Sequence, residues 1–179
     1  MTAPPVGLEL PPIHAPFEPA IHPRVRQVEQ RAVEWIEASG MCATAEERAW
    51  VVATHSTDFC ARFQPYAADD DRLLASSLWV YWGFAFDDVR CDSGWFSTRP
   101  AEFTRLAGRV QRALESPGAH GDDERFIAPI RDIGARLAGF GSHVAFRRFA
   151  AAQRAWLSGV SWQIGNAAAG NWTGPRSAR

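Results

Sequence analysis

The chain of 179 residues is long enough for one domain with a well-packed core, and its 46% apolar and 22% charged residues are typical of a soluble globular protein. A formal net charge of −1 gives no electrostatic basis for binding nucleic acid or an anionic membrane. The three cysteines (Cys42, Cys60 and Cys91) are odd in number and widely spaced, which argues against a disulfide framework or a zinc site and predicts a reducing, cytoplasmic location.

A proline-rich arm occupies residues 1–22 and lacks the apolar run of a signal peptide. Two later stretches carry no charge and need a membrane check. Residues 73–86 are too few to span a bilayer, which takes about 20 residues. Residues 155–175 are long enough but contain glutamine, asparagine, serine and glycine. We therefore expect no membrane-spanning segment.

The next two elements are predicted from helical periodicity and a capping signal. Apolar residues recur at three- and four-residue spacing over residues 25–36, which predicts an amphipathic helix that ends at residues 39–40. Thr44 followed by Glu47 matches a capping box. A second helix is therefore predicted to begin there and to continue as far as Pro65.

The remaining elements are also helical by pattern. The acidic run at residues 69–71 predicts the cap of a third helix, which extends over residues 73 to about 91. Further helices are predicted from residues 99–100, from residues 122–124 and over about 143–168. No period-two alternation persists, so we expect no strand. Together these patterns predict an all-α fold of about six helices over residues 23–170, with a C-terminal tail at residues 171–179.

The third helix carries the residues that point to chemistry. Fourteen uncharged residues, 73–86, are followed by Asp87, Asp88 and Asp92. A helix C-terminus is already partly negative, so each acid there costs about 0.3–1 kcal/mol, and close carboxylates also repel one another. A bound divalent cation removes both penalties, and a set of carboxylate oxygens favours magnesium.

The helical positions of these acids limit how they can meet. On an α-helix, Asp88 and Asp92 lie about 40° apart, whereas Asp87 is rotated by about 100° from Asp88. All three converge only if the last turn loosens, which Ser93-Gly94 directly afterwards would permit. The alternative is a solvated helix end. The long apolar run that leads into the acids favours the metal–diphosphate site, because a buried helix is a costly place to end in charge.

Three segments give the chain a family resemblance. The aromatic-x-aromatic-Asp-Asp pattern of residues 84–88 is similar to the aspartate-rich motif of microbial class I terpene synthases. The Pro-Phe and His-Pro pairs of residues 16–23 and the Arg-Phe-Gln-Pro-Tyr run of residues 62–66 are also similar to that family. The Asp-Asp-x-x-x-Asp form resembles the 2-methylisoborneol synthase branch. The resemblance extends over residues 16 to about 165.

The resemblance implies an incomplete class I terpene-synthase helical bundle, a terpene cyclase that ionises an isoprenyl diphosphate and cyclises the carbocation. A complete family member holds three Mg²⁺ ions. By resemblance, Asp87 and Asp92 bind Mg²⁺ directly, and Asp88 is a further ligand or hydrogen-bonds to one. The residues implied to line the substrate pocket are Phe84, Phe59 and Phe63.

Other polar residues were weighed as site candidates. His55 and Asp58 lie three apart, but no further ligand joins them, so a polar helix face is the better interpretation. Arg90, inside the acidic motif, is expected either to point to solvent or to pair with Asp87. Three arginines of the last helix could meet a diphosphate, although a solvated face explains them better: Arg147, Arg148 and Arg154.

The sequence also departs from the family pattern. A complete catalytic domain needs roughly 300 residues, and the second metal motif, Asn-Asp-x-x-Ser-x-x-x-Glu, occurs nowhere in the chain. We therefore expect a truncated chain that does not cyclise substrate alone and that exposes apolar surface, leading to aggregation or a homodimer. The alternatives are a chain-elongating isoprenyl diphosphate synthase, which the Ser93-Gly94 sequence disfavours, and a non-catalytic helical interaction module.

Overall fold

A computed structural model describes residues 11–12, 14–116, 118 and 124–171, and within them the chain is helical with no strand. The predicted all-α fold is confirmed. Parts of three predicted segments lie outside the described residues: the arm, the start of the fifth helix at Asp122-Asp123, and the tail beyond Asn171. The predicted start of the fifth helix is wrong at Glu124, because residues 124–126 are not helical and the helix begins at Ile127. The α-helices are α1 Val25–Ser39, α2 Ala45–Ala53, α3 Ser56–Phe63, α4 Asp70–Phe86, α5 Pro100–Glu115, α6 Ile127–Phe140 and α7 His143–Ala168, and a π-helical turn, Asp87–Asp92, continues α4.

The predicted second helix is in fact two helices. Thr44 caps α2 as expected, since its hydroxyl accepts a hydrogen bond from the Glu47 N–H at 3.1 Å. The chain then breaks at His55, which adopts a left-handed conformation with φ of 50°. The Thr54 hydroxyl bonds the Val51 carbonyl and the Ser56 hydroxyl, each at 2.8 Å, and such local bonds compete with helix continuation. The break turns α3 so that it packs on α4 and α1.

Helix α4 lies at the centre of the bundle and packs against α1, α3 and α6. It begins three residues before the predicted start, at the cap formed by Asp69, whose carboxylate accepts from the Arg72 N–H at 2.8 Å. On its core side Trp82 and Phe86 are fully buried and stack with ring centroids 4.9 Å apart. The Trp82 indole also donates to the Phe126 carbonyl at 2.9 Å. These contacts hold one side of α4 against the core, and they therefore also fix which way the opposite side of the helix faces.

Helices α5, α6 and α7 form the other half of the bundle, with α5 packed against both α6 and α7. The closest approach is at Gly134 on α6, where a Cβ atom would lie 2.6 Å from the Leu114 carbonyl oxygen on α5. Helix α7 follows the Ser142 cap and crosses beside α4, where Trp156 meets Trp82 edge to face at 6.4 Å. Among the described helices, none combines the length and the apolar composition needed to cross a bilayer.

Candidate metal and substrate site

One face of α4 borders an open cleft and leads to the first aspartate. Trp79, Val80, Gly83 and Phe84 line this cleft together with Asp87. They precede Asp87 by eight, seven, four and three residues, which is the spacing of one helical face. The carboxylate of Asp87 therefore stands at the end of an apolar and aromatic stripe.

Aromatic residues of α3 and α7 also border the cleft. Phe59 and Trp156 complete its lining, and its volume is about 230 Å³. Phe63 lies beside an adjoining cleft of about 260 Å³, which Phe59 and Trp79 also line. The structure thus brings Phe84 and Phe59 to one cleft with Asp87 and places Phe63 in its neighbour. Their role in binding substrate stays a prediction.

The predicted loosening of the last turn takes the form of a π-turn over Asp87–Asp92. In a π-helix the carbonyl of residue i accepts a hydrogen bond from the N–H of residue i+5, so each turn holds more residues than an α-helical turn. On an α-helix Asp87 and Asp92 would be about 140° apart around the axis. The wider π-turn therefore accommodates the extra residue of the Asp-Asp-x-x-x-Asp spacing. It brings Asp92 closer to Asp87 than an α-helix would while Asp92 stays near Asp88, and the Asp92 charge raises the pKa of both.

A glycine makes the end of this turn possible. Gly94 has a φ of 77°, and a Cβ atom there would lie 2.9 Å from the Val89 carbonyl oxygen. Any other residue would meet both a strained backbone and this close contact. The Ser93 hydroxyl also donates to the Asp88 carbonyl. Ser93-Gly94 thus ends the helix as predicted.

Asp87 and Asp88 are in an environment that disfavours their charge. Burial raises the pKa of the Asp87 carboxyl above its usual value, and the negative charge of Asp92 adds to the rise, while a hydrogen bond from the Cys91 thiol opposes it. The pKa of Asp88 is also raised, first by burial and then by the charges of Asp87 and Asp92. Within the described part of the chain, no ion pair neutralises any of the three.

The three aspartates nevertheless do not form a finished metal site. Asp88 lines a separate groove beside α2 with Trp50. Asp92 is exposed and accepts a hydrogen bond from Gln163 Nε2 of α7 at 3.1 Å. Across the described residues, no group of three or more histidine, cysteine, aspartate or glutamate side chains is placed to hold a metal ion. Metal binding by Asp87, Asp88 and Asp92 therefore stays a prediction, in which oxygen donors and mutual repulsion both suit a divalent cation.

Arg90 takes neither of its two predicted positions. Its guanidinium pairs with Glu124 at 2.8 Å and lies over the rings of Phe126 and Phe96, at 5.2 and 5.7 Å from their centroids. With these partners, the positive charge of Arg90 neither points to solvent nor pairs with Asp87. The negative charge of the motif is thus left for a ligand to offset.

The other polar candidates have structural roles. His55 occupies the N-cap position of α3, and Asp58 pairs with Arg62 at 3.1 Å, so the expected polar face is observed. Arg154 pairs with Glu115 of α5. Arg147 and Arg148 are exposed on α7, as expected of a solvated face.

Sequence reasoning missed some of the residues that shape the cleft. Trp79, Val80 and Gly83 could have been found by counting back from Asp87 in helical steps of four, seven and eight. Gln153 and Gln163 gave no signal, because each meets its partner across more than 70 residues of chain.

Comparison with known proteins places this geometry in a family. Residues 78–176, more than half of the chain, match the sequence family described as terpene synthase family 2, C-terminal metal binding. The chain belongs to the terpene synthase family. The matched segment begins one residue before Trp79 and contains the whole π-turn. The predicted family and all-helical fold class are thus confirmed.

The relatives of this terpene synthase chain are bacterial cyclases. It is 62% identical over 167 residues to spiroviolene synthase from Streptomyces violens, covering 93% of this chain and 46% of that protein. It is 30% identical over 160 residues to the (2E,6E)-farnesyl diphosphate cyclizing 4-epi-cubebol synthase from Streptosporangium roseum, covering 89% and 47%. The crystal structure of the SVS_A2 protein from ancestral sequence reconstruction superposes with a TM-score of 0.88 at 66% identity, covering 93% and 51%. The chain therefore spans about half the length of the curated relatives it matches.

Proposed function

We propose that this chain provides the aspartate-rich half of a class I terpene cyclase site, which acts on an isoprenyl diphosphate with Mg²⁺. The observation that carries the proposal is the position of Asp87, at the end of the stripe of α4 that lines the aromatic cleft. A carboxylate at the mouth of an apolar cleft suits a substrate with a charged head and a hydrocarbon tail.

The residues of the π-turn and those of the cleft would have different roles. Asp87 and Asp92 would hold Mg²⁺, with Asp88 as a further ligand or as a hydrogen-bonding partner. When bound, the metal would act as a Lewis acid that neutralises the leaving diphosphate. Three ions are proposed for the complete site, of which these carboxylates would hold a part. The rings of the cleft then exclude water and present π faces to a positive charge on the hydrocarbon.

The substrate class follows from the cleft and from the relatives. The two adjoining clefts, about 230 and 260 Å³, have mainly aromatic and apolar linings from α3, α4, α6 and α7. The name of 4-epi-cubebol synthase states that it cyclises farnesyl diphosphate. An isoprenyl diphosphate is therefore the proposed substrate, and cyclisation is favoured over chain elongation because the names of two similar proteins, 4-epi-cubebol synthase and a diterpene cyclase from Streptomyces, state cyclisation.

We also propose that residues 1–179 alone do not complete the reaction. The chain lacks the second metal motif and spans about half of its relatives. The three free cysteines agree with the proposed cytoplasmic location.

A chimera tests the function. The matching part of spiroviolene synthase is replaced by this chain, and the product of incubation with Mg²⁺ and geranyl, farnesyl or geranylgeranyl diphosphate is measured by gas chromatography and mass spectrometry. We expect a cyclic hydrocarbon from the chimera and none from the chain alone. Asp87→Asn should reduce product by about a hundredfold or more, as expected when a transition-state charge loses its partner.

The matched control is Asp58→Asn, which changes a surface aspartate of α3 that pairs with Arg62. It should leave product formation within about twofold, since exposed ion pairs contribute little. Melting temperatures of both variants show whether folding is preserved. Equal activity of the Asp87 and Asp58 variants would contradict the proposal and would favour the non-catalytic helical module.

A further inference from the structure

A buried glutamine stands behind the wall of the cleft. Gln153 of α7 is only 1% exposed, and its Oε1 accepts a hydrogen bond from the indole Nε1 of Trp79 at 2.9 Å. We propose that Gln153 is a positioning residue that fixes the indole plane of Trp79 and thereby sets the shape that the cleft offers to the hydrocarbon chain. The inference about the hydrocarbon rests on the proposed function.

Trp79 is placed where its orientation matters. It lines both the cleft that contains Asp87 and the adjoining cleft beside Phe63, as Phe59 and Val80 also do, so its indole is part of the wall that the two clefts share. A rotation of this ring would transfer volume from one cleft to the other. The shape of the combined space therefore depends in part on the orientation of the Trp79 indole.

Helix α7 holds this indole at two points. Phe149, one turn before Gln153, meets the Trp79 ring edge to face with centroids 5.5 Å apart and planes at 75°. That contact limits the tilt of the ring but leaves the N–H edge free to move. The hydrogen bond to Gln153 then fixes the direction of that edge, because an indole N–H is the only polar group of tryptophan.

The amide of Gln153 has one workable orientation. Its Nε2 is buried and finds no hydrogen-bond partner among the described residues. Exchanging the amide ends would place an N–H donor against the indole N–H and lose the bond. A leucine would fill a similar volume without burying an unpaired donor, which is costly. Packing alone therefore does not account for a glutamine here, whereas the bond to Trp79 does.

The chain supplies a matched control in Gln111 of α5, which is also buried at 7% exposure. Its Nε2 donates to the Ala150 carbonyl and to Glu115, each at 2.8 Å. Neither partner lines the two clefts. Gln111→Leu therefore removes a comparable interhelical bond without touching Trp79.

The positioning bond is tested on the chain itself by NMR of the indole N–H groups of its eight tryptophans. Trp79→Phe assigns the Trp79 signal. In Gln153→Leu we expect that signal to move upfield and its hydrogen exchange to become about tenfold faster, since a buried hydrogen bond is lost. Gln153→Glu, which keeps a hydrogen-bond acceptor, should restore the position and the slow exchange of the Trp79 signal, and Gln111→Leu should leave both unchanged. An unmoved Trp79 signal in a folded Gln153→Leu chain would overturn the proposal.

The consequence for the hydrocarbon is tested in the chimera with spiroviolene synthase. Gln153→Leu should change the ratio of cyclic products while diphosphate release stays within about threefold, and Gln111→Leu should change neither. Unchanged product ratios in Gln153→Leu would overturn the specificity role. A chimera that makes no product at all would contradict the proposed function instead, and the Trp79 signal would still decide whether Gln153 positions the indole.

Discussion

Asp87 and Asp88 are adjacent in sequence but lie in different surroundings. Asp87 ends the aromatic stripe of α4, whereas Asp88 lines the groove beside α2. Asp92 lies near both, since its charge raises the pKa of each. A metal that binds the diphosphate head beside the cleft should therefore depend on Asp87 more than on Asp88.

This difference is testable with Mn²⁺ as a paramagnetic substitute for Mg²⁺. Asp87→Asn should weaken Mn²⁺ binding in the presence of inorganic diphosphate by about tenfold or more, equivalent to about 1.4 kcal/mol. Asp88→Asn should weaken it by less than about threefold. Electron paramagnetic resonance of free Mn²⁺ during titration measures both. A larger loss in the Asp88 variant would contradict the assignment of Asp87 to the cleft.

The three cysteines should differ in reactivity. Burial raises the pKa of the Cys60 thiol to about 11, so at pH 8 only about one in a thousand of these groups is a thiolate. Burial also raises the pKa of Cys91, and the Asp87 charge adds to it. Cys42 has a raised pKa as well, but it is only half-buried.

Alkylation with iodoacetamide at pH 8, followed by mass spectrometry, should therefore modify Cys42 first and leave Cys60 and Cys91 largely intact. Raising the pH toward 11 should increase the thiolate fraction of Cys60. All three should react in guanidinium chloride, which serves as the control for chemical access. Faster labelling of Cys91 than of Cys42 would show that the core around the π-turn opens.

At the scale of the elements, the sequence predicted most helices because their apolar residues follow the 3.6-residue period. Counting that period also explains the cleft face of α4. The break at His55 could not be predicted, since the apolar spacing continues on both sides of it. The π-turn was foreseen only as a loosened turn, because its hydrogen-bond pattern depends on Gly94 and on packing around Cys91. Contacts such as Trp79–Gln153 join distant segments and leave no local pattern.

Two helical glycines give a matched prediction about packing. At Gly83 no atom lies within 4 Å of an added Cβ, so Gly83→Ala should raise the free energy of unfolding by about 0.5–1 kcal/mol through helix propensity. At Gly134 the added Cβ would lie 2.6 Å from the Leu114 carbonyl oxygen. Gly134→Ala should therefore lower the free energy of unfolding by about 1–3 kcal/mol. Urea denaturation followed by circular dichroism measures both free energies. Destabilisation by Gly83→Ala would mean that other atoms fill the space beside Gly83 on the cleft side of α4.

At the scale of the whole molecule, the aromatic residues of the clefts remain open on one side. Phe63 is 71% exposed, Phe59 49% and Phe84 44%, and they lie on neighbouring helices. An apolar area of this kind is unusual on a monomer and favours association. The proposed half-site and the predicted homodimer thus have the same physical origin, namely aromatic side chains that the described helices do not cover.

Self-association should therefore depend on these cleft residues. Sedimentation of the chain should show an average mass that rises with protein concentration. In the double variant Phe63→Ser, Phe84→Ser, the concentration at which half of the chain is associated should be about tenfold higher. Phe17→Ser is the control, because Phe17 is 82% exposed yet belongs to neither cleft. If Phe17→Ser had the larger effect, the arm and not the clefts would mediate association. If no variant changed self-association, the exposed rings would not take part in it and would be available to contact a hydrocarbon substrate.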